Sequence, residues 1–277
     1  MRRTMSVFMV FCGVALACSA SFAEPGSWQL LDEGLSLGSF LPPRQYRMLD
    51  SPIALLKIDP QFYSFRLLSA SEYGGIPRTA QQWCKEFGLL AATNASMYQN
   101  ESPLKSTGYM KNYEHVNNPR INPSFGAFMV FNPINSSYPE VQFVDRRRQR
   151  NWTRLLQRYH TVIQNYRMIS EGKKTGWPQQ GKSYSIAAIG LDKNKNALFI
   201  YSRSPFSTHD FIHILLSLPI QINNAMYLEG GPEATLHINL KDLSLKRRRS
   251  YETSSTEYEN DKSPLKIPNV IGIVKRK

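Results

Sequence analysis

The residues best suited to chemistry gather late in the chain. Glu229-Gly230-Gly231-Pro232 places a carboxylate beside two glycines, which tolerate positive φ and let a ligand come close to the backbone. The same four residues also suit a plain turn between two strands. Arg203 follows an apolar run and is a cation that could receive an anion. His209 and His213 stand four apart with Asp210 between them, an echo of a zinc-protease helix. No third ligand accompanies them, and Asp210 is explained by helix capping. Asn94, Ser96, Gln164, Asn165 and Arg167 are polar groups beside strongly apolar segments. Each can orient a ligand or satisfy a buried hydrogen bond. A serine-elbow motif, a P-loop and a dinucleotide fingerprint are all missing, so those enzyme classes have no support.

The elements that must carry these groups alternate strands with a few helices. Ile53 to Ile58 reads as a buried strand that turns at Asp59-Pro60 into Phe62 to Leu68 as a hairpin. Thr79 caps a helix with Ala80, Trp83, Cys84 and Phe87 at helical spacing, and Gly88 stops it. Cys84 then faces a core. Leu89 to Thr93 is a strand that delivers Asn94 and Ser96 at its end, and Ala127 to Phe131 and Val141 to Val144 are further strands. From Thr153, the apolar positions Leu155, Leu156, Tyr159, Val162, Ile163 and Tyr166 predict one long amphipathic helix. Glu171 to Lys182 reads as an exposed loop. Ser185 to Leu191 and Ala197 to Ser202 form a hairpin. Ser207 opens a helix running to Leu218, before Pro219, and Ala225 to Leu228 follows as a strand parallel to the one at 197. Ligands of such units collect beyond the carboxyl ends of the strands, where Arg203 and Glu229-Gly230-Gly231 stand. Residues 244–266 are poor in apolar groups and read as a surface loop before a final strand, Ile267 to Val274. The expected architecture is one α/β domain (α+β), with a mixed, largely antiparallel sheet flanked by helices near 80, 155 and 210.

The chain has 277 residues, 34 Lys plus Arg against 21 Asp plus Glu, and three Cys. Residues 1–23 carry the pattern of a signal peptide: Arg2 and Arg3, an apolar stretch from Val7 to Ala17, and Ser21-Phe22-Ala23 as a cleavage site. Lipidation at Cys18 is the weaker alternative. Removing 23 residues leaves 277 − 23 = 254, with Cys84 as the single cysteine, so an internal disulfide is excluded in the mature chain. Residues 24–277 are expected to form one domain, with its core at about 50–275 and no transmembrane segment, in a periplasmic or secreted protein. The net charge of +13 concentrates at Arg146 to Arg150, Lys246 to Arg249 and Lys275 to Lys277. An exported protein meets anionic polymers rather than nucleic acid, so a phosphorylated or anionic envelope glycan is the expected partner of any charge-specific contact.

Four short motifs in one order resemble the phosphodiester glycosidase family across most of residues 50–275. The family's Asn-Gly-Gly-Phe-Phe strand end corresponds to Asn94-Ala95-Ser96-Met97-Tyr98, and its Thr-Ala-Ile-Gly strand to Ser185 to Gly190. Its Asp-Gly-Gly-Gly-Ser turn corresponds to Glu229-Gly230-Gly231-Pro232-Glu233, and its closing Val-Pro-Asn-Ala-Ile segment to Ile267 to Ile271. Glu stands for Asp, Pro-Glu for Gly-Ser, and Ala-Ser for Gly-Gly. The resemblance implies hydrolysis of a sugar 1-phosphodiester; no cofactor and no metal site are expected from the sequence. The resemblance also implies Glu229, Arg203 and Asn94 as catalytic residues, Glu229 acting on the anomeric centre or on water and Arg203 holding the phosphate. Ser96, Asn165, Arg167, Ser185, Gly230 and Gly231 would then contact substrate. The other reading is a non-catalytic binding module for anionic envelope glycans, using the same cleft.

Overall fold

The computed structural model describes residues 26–46, 51–179, 181–240, 243–244 and 264–276. Among the described residues eighteen strands form three sheets, and every pairing between them is antiparallel. In spatial order the first sheet is β1 (Ser27–Asp32), β2 (Leu35–Phe40), β3 (Ile53–Ile58), β14 (Ala197–Phe206), β13 (Tyr184–Asp192), β15 (Ile222–Gly230), β11 (Arg167–Ser170) and β12 (Lys173–Lys174). The second is β7 (His115–Asn118), β6 (Met110–Asn112), β10 (Tyr159–Asn165), β8 (Ala127–Pro133) and β9 (Val141–Asp145). The third is β17 (Leu243–Ser244), β16 (Leu236–Leu240), β5 (Ala91–Asn94), β18 (Asn269–Lys275) and β4 (Tyr63–Ser69).

Period-two alternation explains how the sheets assemble. Along β8, Ala127, Met129 and Phe131 enter a core shared by all three sheets, while Phe128 and Val130 point to the other side. Leu56 and Ile58 of β3 and Ile271 and Ile273 of β18 join the same shared core. Each sheet's outer face is then closed by one helix. Trp83 and Cys84 of α1 (Ala80–Phe87) cover the third sheet, Trp152 and Leu155 of α2 (Trp152–Leu156) the second, and Phe211, Ile212 and Leu215 of α3 (Thr208–Ser217) the first. Fully burying a side chain of this size contributes ~1.5–3 kcal/mol, so the shared core, with chain from all three sheets, dominates the fold.

The α/β class and antiparallel pairing stand as expected, but one sheet becomes three. The hairpin expected between Ile53–Ile58 and Tyr63–Ser69 is replaced by a crossing: β3 pairs with β2 and β14, whereas β4 pairs with β18. Asp59-Pro60 turns the chain from one sheet into another. The long helix from Thr153 stops at Leu156, and its second half is β10. Tyr159, Thr161, Val162 and Ile163 are β-branched or aromatic and find partners on β6 and β8, so sheet pairing overrides a helical spacing. The loop expected at 171–182 includes the short β12, and Trp177 packs on the first sheet's outer cluster with its indole N–H given to the Arg167 carbonyl at 2.7 Å. Strands β14 and β15 do run in the same direction, but β13 lies between them. The caps follow the sequence: Thr79 and Gln82 form a reciprocal capping box, Gly88 adopts the left-handed conformation, and Ser207 accepts from the Asp210 N–H. The Lys246 to Arg249 cluster and most of the 244–266 segment lie outside the described residues, as do residues 1–25.

Candidate active site

Strand ends from all three sheets meet around the end of β15. From the second sheet, Asn165 at the last position of β10 donates through Nδ2 to the Leu228 carbonyl at 3.3 Å. From the third, Asn94 at the end of β5 grips the turn that follows β15: its Nδ2 donates to the Glu233 carbonyl at 2.9 Å, and its Oδ1 accepts from the Thr235 N–H at 2.8 Å. Both asparagines are buried with these bonds made, so they hold the sheets in register at the site.

Glu229 is placed by an irregularity in β15. Tyr227 pairs with Ala188 and Glu229 with Ala187, leaving Leu228 as an extra residue that re-aims the strand end. Glu229 is 9% exposed, and burial pushes its pKa up to about 8. The Gly230 N–H, which donates to Oε1 at 3.0 Å, pulls the other way, and the negative charge of Glu233 adds to the rise. Four residues on, half-buried Glu233 accepts from the Tyr98 hydroxyl at 3.3 Å. Burial, with both acids nearby, pushes the Tyr98 phenol up to about 12, which keeps it a donor. The two glycines have separate reasons. A Cβ at Gly230 would lie 2.1 Å from the Tyr227 hydroxyl and 2.8 Å from the Tyr184 ring, while Gly231 takes φ +71° to open the turn.

The other expected site residues distribute as follows. Ser185 is buried and donates to the Arg203 carbonyl at 2.9 Å. Arg203 lies within β14, which continues to Phe206 rather than ending at Ser202; Ser202 and Gly230 both pair with Ile186, so Arg203 and Glu229 stand either side of the start of β13. Among the described residues no ion pair joins them. Ser96 anchors its loop, its N–H bound to Asn269 Oδ1 at 2.9 Å and its hydroxyl to Ser106 at 2.9 Å. Arg167 is spent on a neighbouring acid, with its Nη1 contacting both Asp145 oxygens at 3.0 and 2.9 Å. His209 Nδ1 lies 3.3 Å from Asp210, and among the described residues no group of three or more His, Cys, Asp or Glu side chains is placed to share a metal ion. Sequence reasoning misses Glu233, Tyr98, Tyr184 and Tyr227. The signal for Glu233 is a second acid across Gly-Gly-Pro; the tyrosines give none, since aromatics at strand ends are usually core.

A buried acid beside a second carboxylate, at a junction of antiparallel sheets, defines a site suited to acid–base chemistry on a polar substrate. Residues 87–274, more than half of the chain, match the model of the phosphodiester glycosidase family, and the chain belongs to that family. Solved structures that share the fold include two of low sequence identity. One is a hypothetical protein from Synechocystis, 14% identical, with a TM-score of 0.59 over 92% of this chain and 64% of that one. The other is the catalytic domain of the zebrafish N-acetylglucosamine-1-phosphodiester alpha-N-acetylglucosaminidase, auto-inhibited by its pro-peptide, 12% identical, with a TM-score of 0.62 over 91% and 87%. This chain therefore spans just under two thirds of the Synechocystis protein. No curated protein matches it.

Proposed function

We propose that this chain is a phosphodiester glycosidase that hydrolyses a sugar 1-phosphodiester, with Glu229 as proton donor and Glu233 as the ionised partner. The observation that carries the reading is the buried Glu229, whose carboxyl group keeps its proton up to about pH 8. Glycoside cleavage uses two carboxyl groups with different charge states. Here the anomeric C–O bond breaks with its electron pair going to the phosphate oxygen, and Glu229 delivers its proton to that departing group. Glu233 faces the positive charge that develops at the anomeric carbon and takes a proton from the incoming water. A neutral Glu229 also spares an anionic substrate the repulsion of a second negative charge at the site. The role first expected of Glu229, a charged group at the anomeric centre, passes to Glu233, because burial favours the protonated form.

Arg203 is assigned to the phosphate, and Asn94, Asn165, Ser96 and Ser185 to holding the strand ends around the sugar. The signal-peptide pattern at 1–23 and the basic surface support an exported enzyme acting on phosphorylated glycans of the cell envelope or of exopolysaccharide. The test is release of reducing sugar from a set of sugar 1-phosphodiesters, nucleotide sugars included. Release that disappears in Glu229→Gln supports the proposal; full activity in that variant overturns it.

A further inference from the structure

Tyr227 is a buried phenol beside the acid pair, and the proton transfers described above do not use it. It lies on β15 immediately before the bulge, opposite Ala188. Its side chain reaches along the strand toward the turn, so that the hydroxyl stands against Gly230, where a Cβ would come within 2.1 Å of that oxygen. From β13, half-buried Tyr184 closes the same spot. Its ring lies 2.8 Å from where that Cβ would stand, and edge-to-face on Tyr227 with 6.5 Å between centroids. The Tyr184 hydroxyl is 3.3 Å from Thr208 Oγ1 at the start of α3, which ties the two phenols to a helix.

The consequence falls on Glu229. Gly230 is extended, with φ −136° and ψ 167°, and its N–H is the donor that reaches Glu229 Oε1 at 3.0 Å. A glycine has no side chain to hold its own peptide in place, and its backbone is freer than that of any other residue. The restraint on that N–H therefore comes from the groups packed on the Gly230 Cα, and the Tyr227 oxygen is the one nearest to it. Around Glu229 stand Glu233 from the turn after β15, Arg203 from β14, Tyr98 from the loop after β5, Tyr184 from β13 and Tyr227 itself. Burial, with the charges of both acids adding to it, pushes the Tyr227 phenol well above its ordinary range. It therefore stays neutral, and its influence on Glu229 is exerted through position rather than charge.

We propose that Tyr227 is a positioning residue: its hydroxyl, packed on Gly230, keeps the Gly230 N–H aimed at Glu229 and so sets how readily that carboxyl group gives up its proton. Its effect on turnover rests on Glu229 being the proton donor, but its effect on the titration of Glu229 does not. The titration midpoint is read directly on the full chain by carbon-13 NMR with labelled glutamate carboxyl groups, the Glu229 signal being the one missing from Glu229→Gln. Tyr227→Phe removes the oxygen and keeps the ring. It should free the N–H that favours the charged form and raise the Glu229 midpoint by about half to one pH unit. On a sugar 1-phosphodiester it should lower kcat about tenfold and leave KM within about twofold. Gly230→Ala should raise the midpoint by collision with the same oxygen, and adding Tyr227→Phe to it should recover part of the lost kcat. A midpoint that stays or falls in Tyr227→Phe overturns the proposal even where kcat drops, since general loosening of β15 would lower kcat alone. Losses that multiply in the double variant overturn it as well. Absence of sugar release by the parent chain removes the proposed function instead, and the midpoint then decides the role of Tyr227 by itself.

Discussion

Two buried carboxyl groups, one at the end of β15 and one at the end of β9, sit in opposite electrostatic states. Asp145 is 4% exposed, and burial pushes its pKa up, but the Ser170 hydroxyl, the Arg167 guanidinium and the Arg147 N–H together hold it below the usual carboxylate range. Glu229 is comparably buried and receives one backbone N–H, with a like charge nearby, so burial prevails. Asp145 is a paired charge that fastens the second sheet to the first. Glu229 is an unpaired acid kept neutral, and its burial gives it the proton that chemistry needs. The number of donors supplied, more than depth, separates a fastening from a reactive group.

The comparison breaks most visibly at Glu229 itself. Glu229→Gln keeps the neutral shape and removes the proton, and should cost ~10²–10⁴-fold in kcat with substrate binding nearly retained, measured by steady-state sugar release. At the other acid, Arg167→Ala strands the Asp145 charge and should lower stability by ~3–5 kcal/mol in denaturant unfolding, with kcat little changed in the folded fraction. The two acids should also respond oppositely to pH. Glu229 has a folded pKa of about 8, above the unfolded value near 4.5, so the folded chain holds a proton that the unfolded chain releases. Its contribution is complete below that unfolded value and is lost as pH rises toward 8. Asp145, lowered in the fold, contributes above its unfolded value and loses that contribution on acidification. Thermal melts of Glu229→Gln should therefore lose the decline between about pH 5 and 8 while keeping the acid limb. Smallest of all, Tyr98→Phe removes the hydrogen bond to Glu233 and should cost about 0.5–1.5 kcal/mol in kcat/KM, roughly two- to tenfold.

Much of this arrangement can be read from residue order where the determining contacts are local. Thr79 with Gln82, Ser207 with Asp210, and the Asp192 to Asn196 turn specify two helix starts and a hairpin through neighbours in sequence, and all three appear in the fold. The segment from Tyr159 to Asn165 misleads because its apolar spacing fits a helix, while its partners, β6 and β8, are distant in sequence. The hairpin expected at Asp59-Pro60 fails for a related reason: both strands are strongly apolar, but each finds its partner elsewhere. At the site, the Glu229 turn is visible as a pattern of residue types. Its charge state is not, because burial, the bulge at Leu228 and the approach of Tyr98 to Glu233 exist only after three sheets converge. Arg167 shows the converse, a cation beside an apolar strand whose charge is neutralised by a partner distant in sequence.

The position of β18 carries a consequence for biogenesis. It is the last described strand, yet it lies between β5 and β4, pairing with both, and its Asn269 fixes the loop that bears Ser96. During synthesis the rows of Leu68 and Ala92 must wait apart until that strand leaves the ribosome and slots between them. Completion of the third sheet thus waits for β18, and the loop that bears Ser96 is fixed only once that strand has joined.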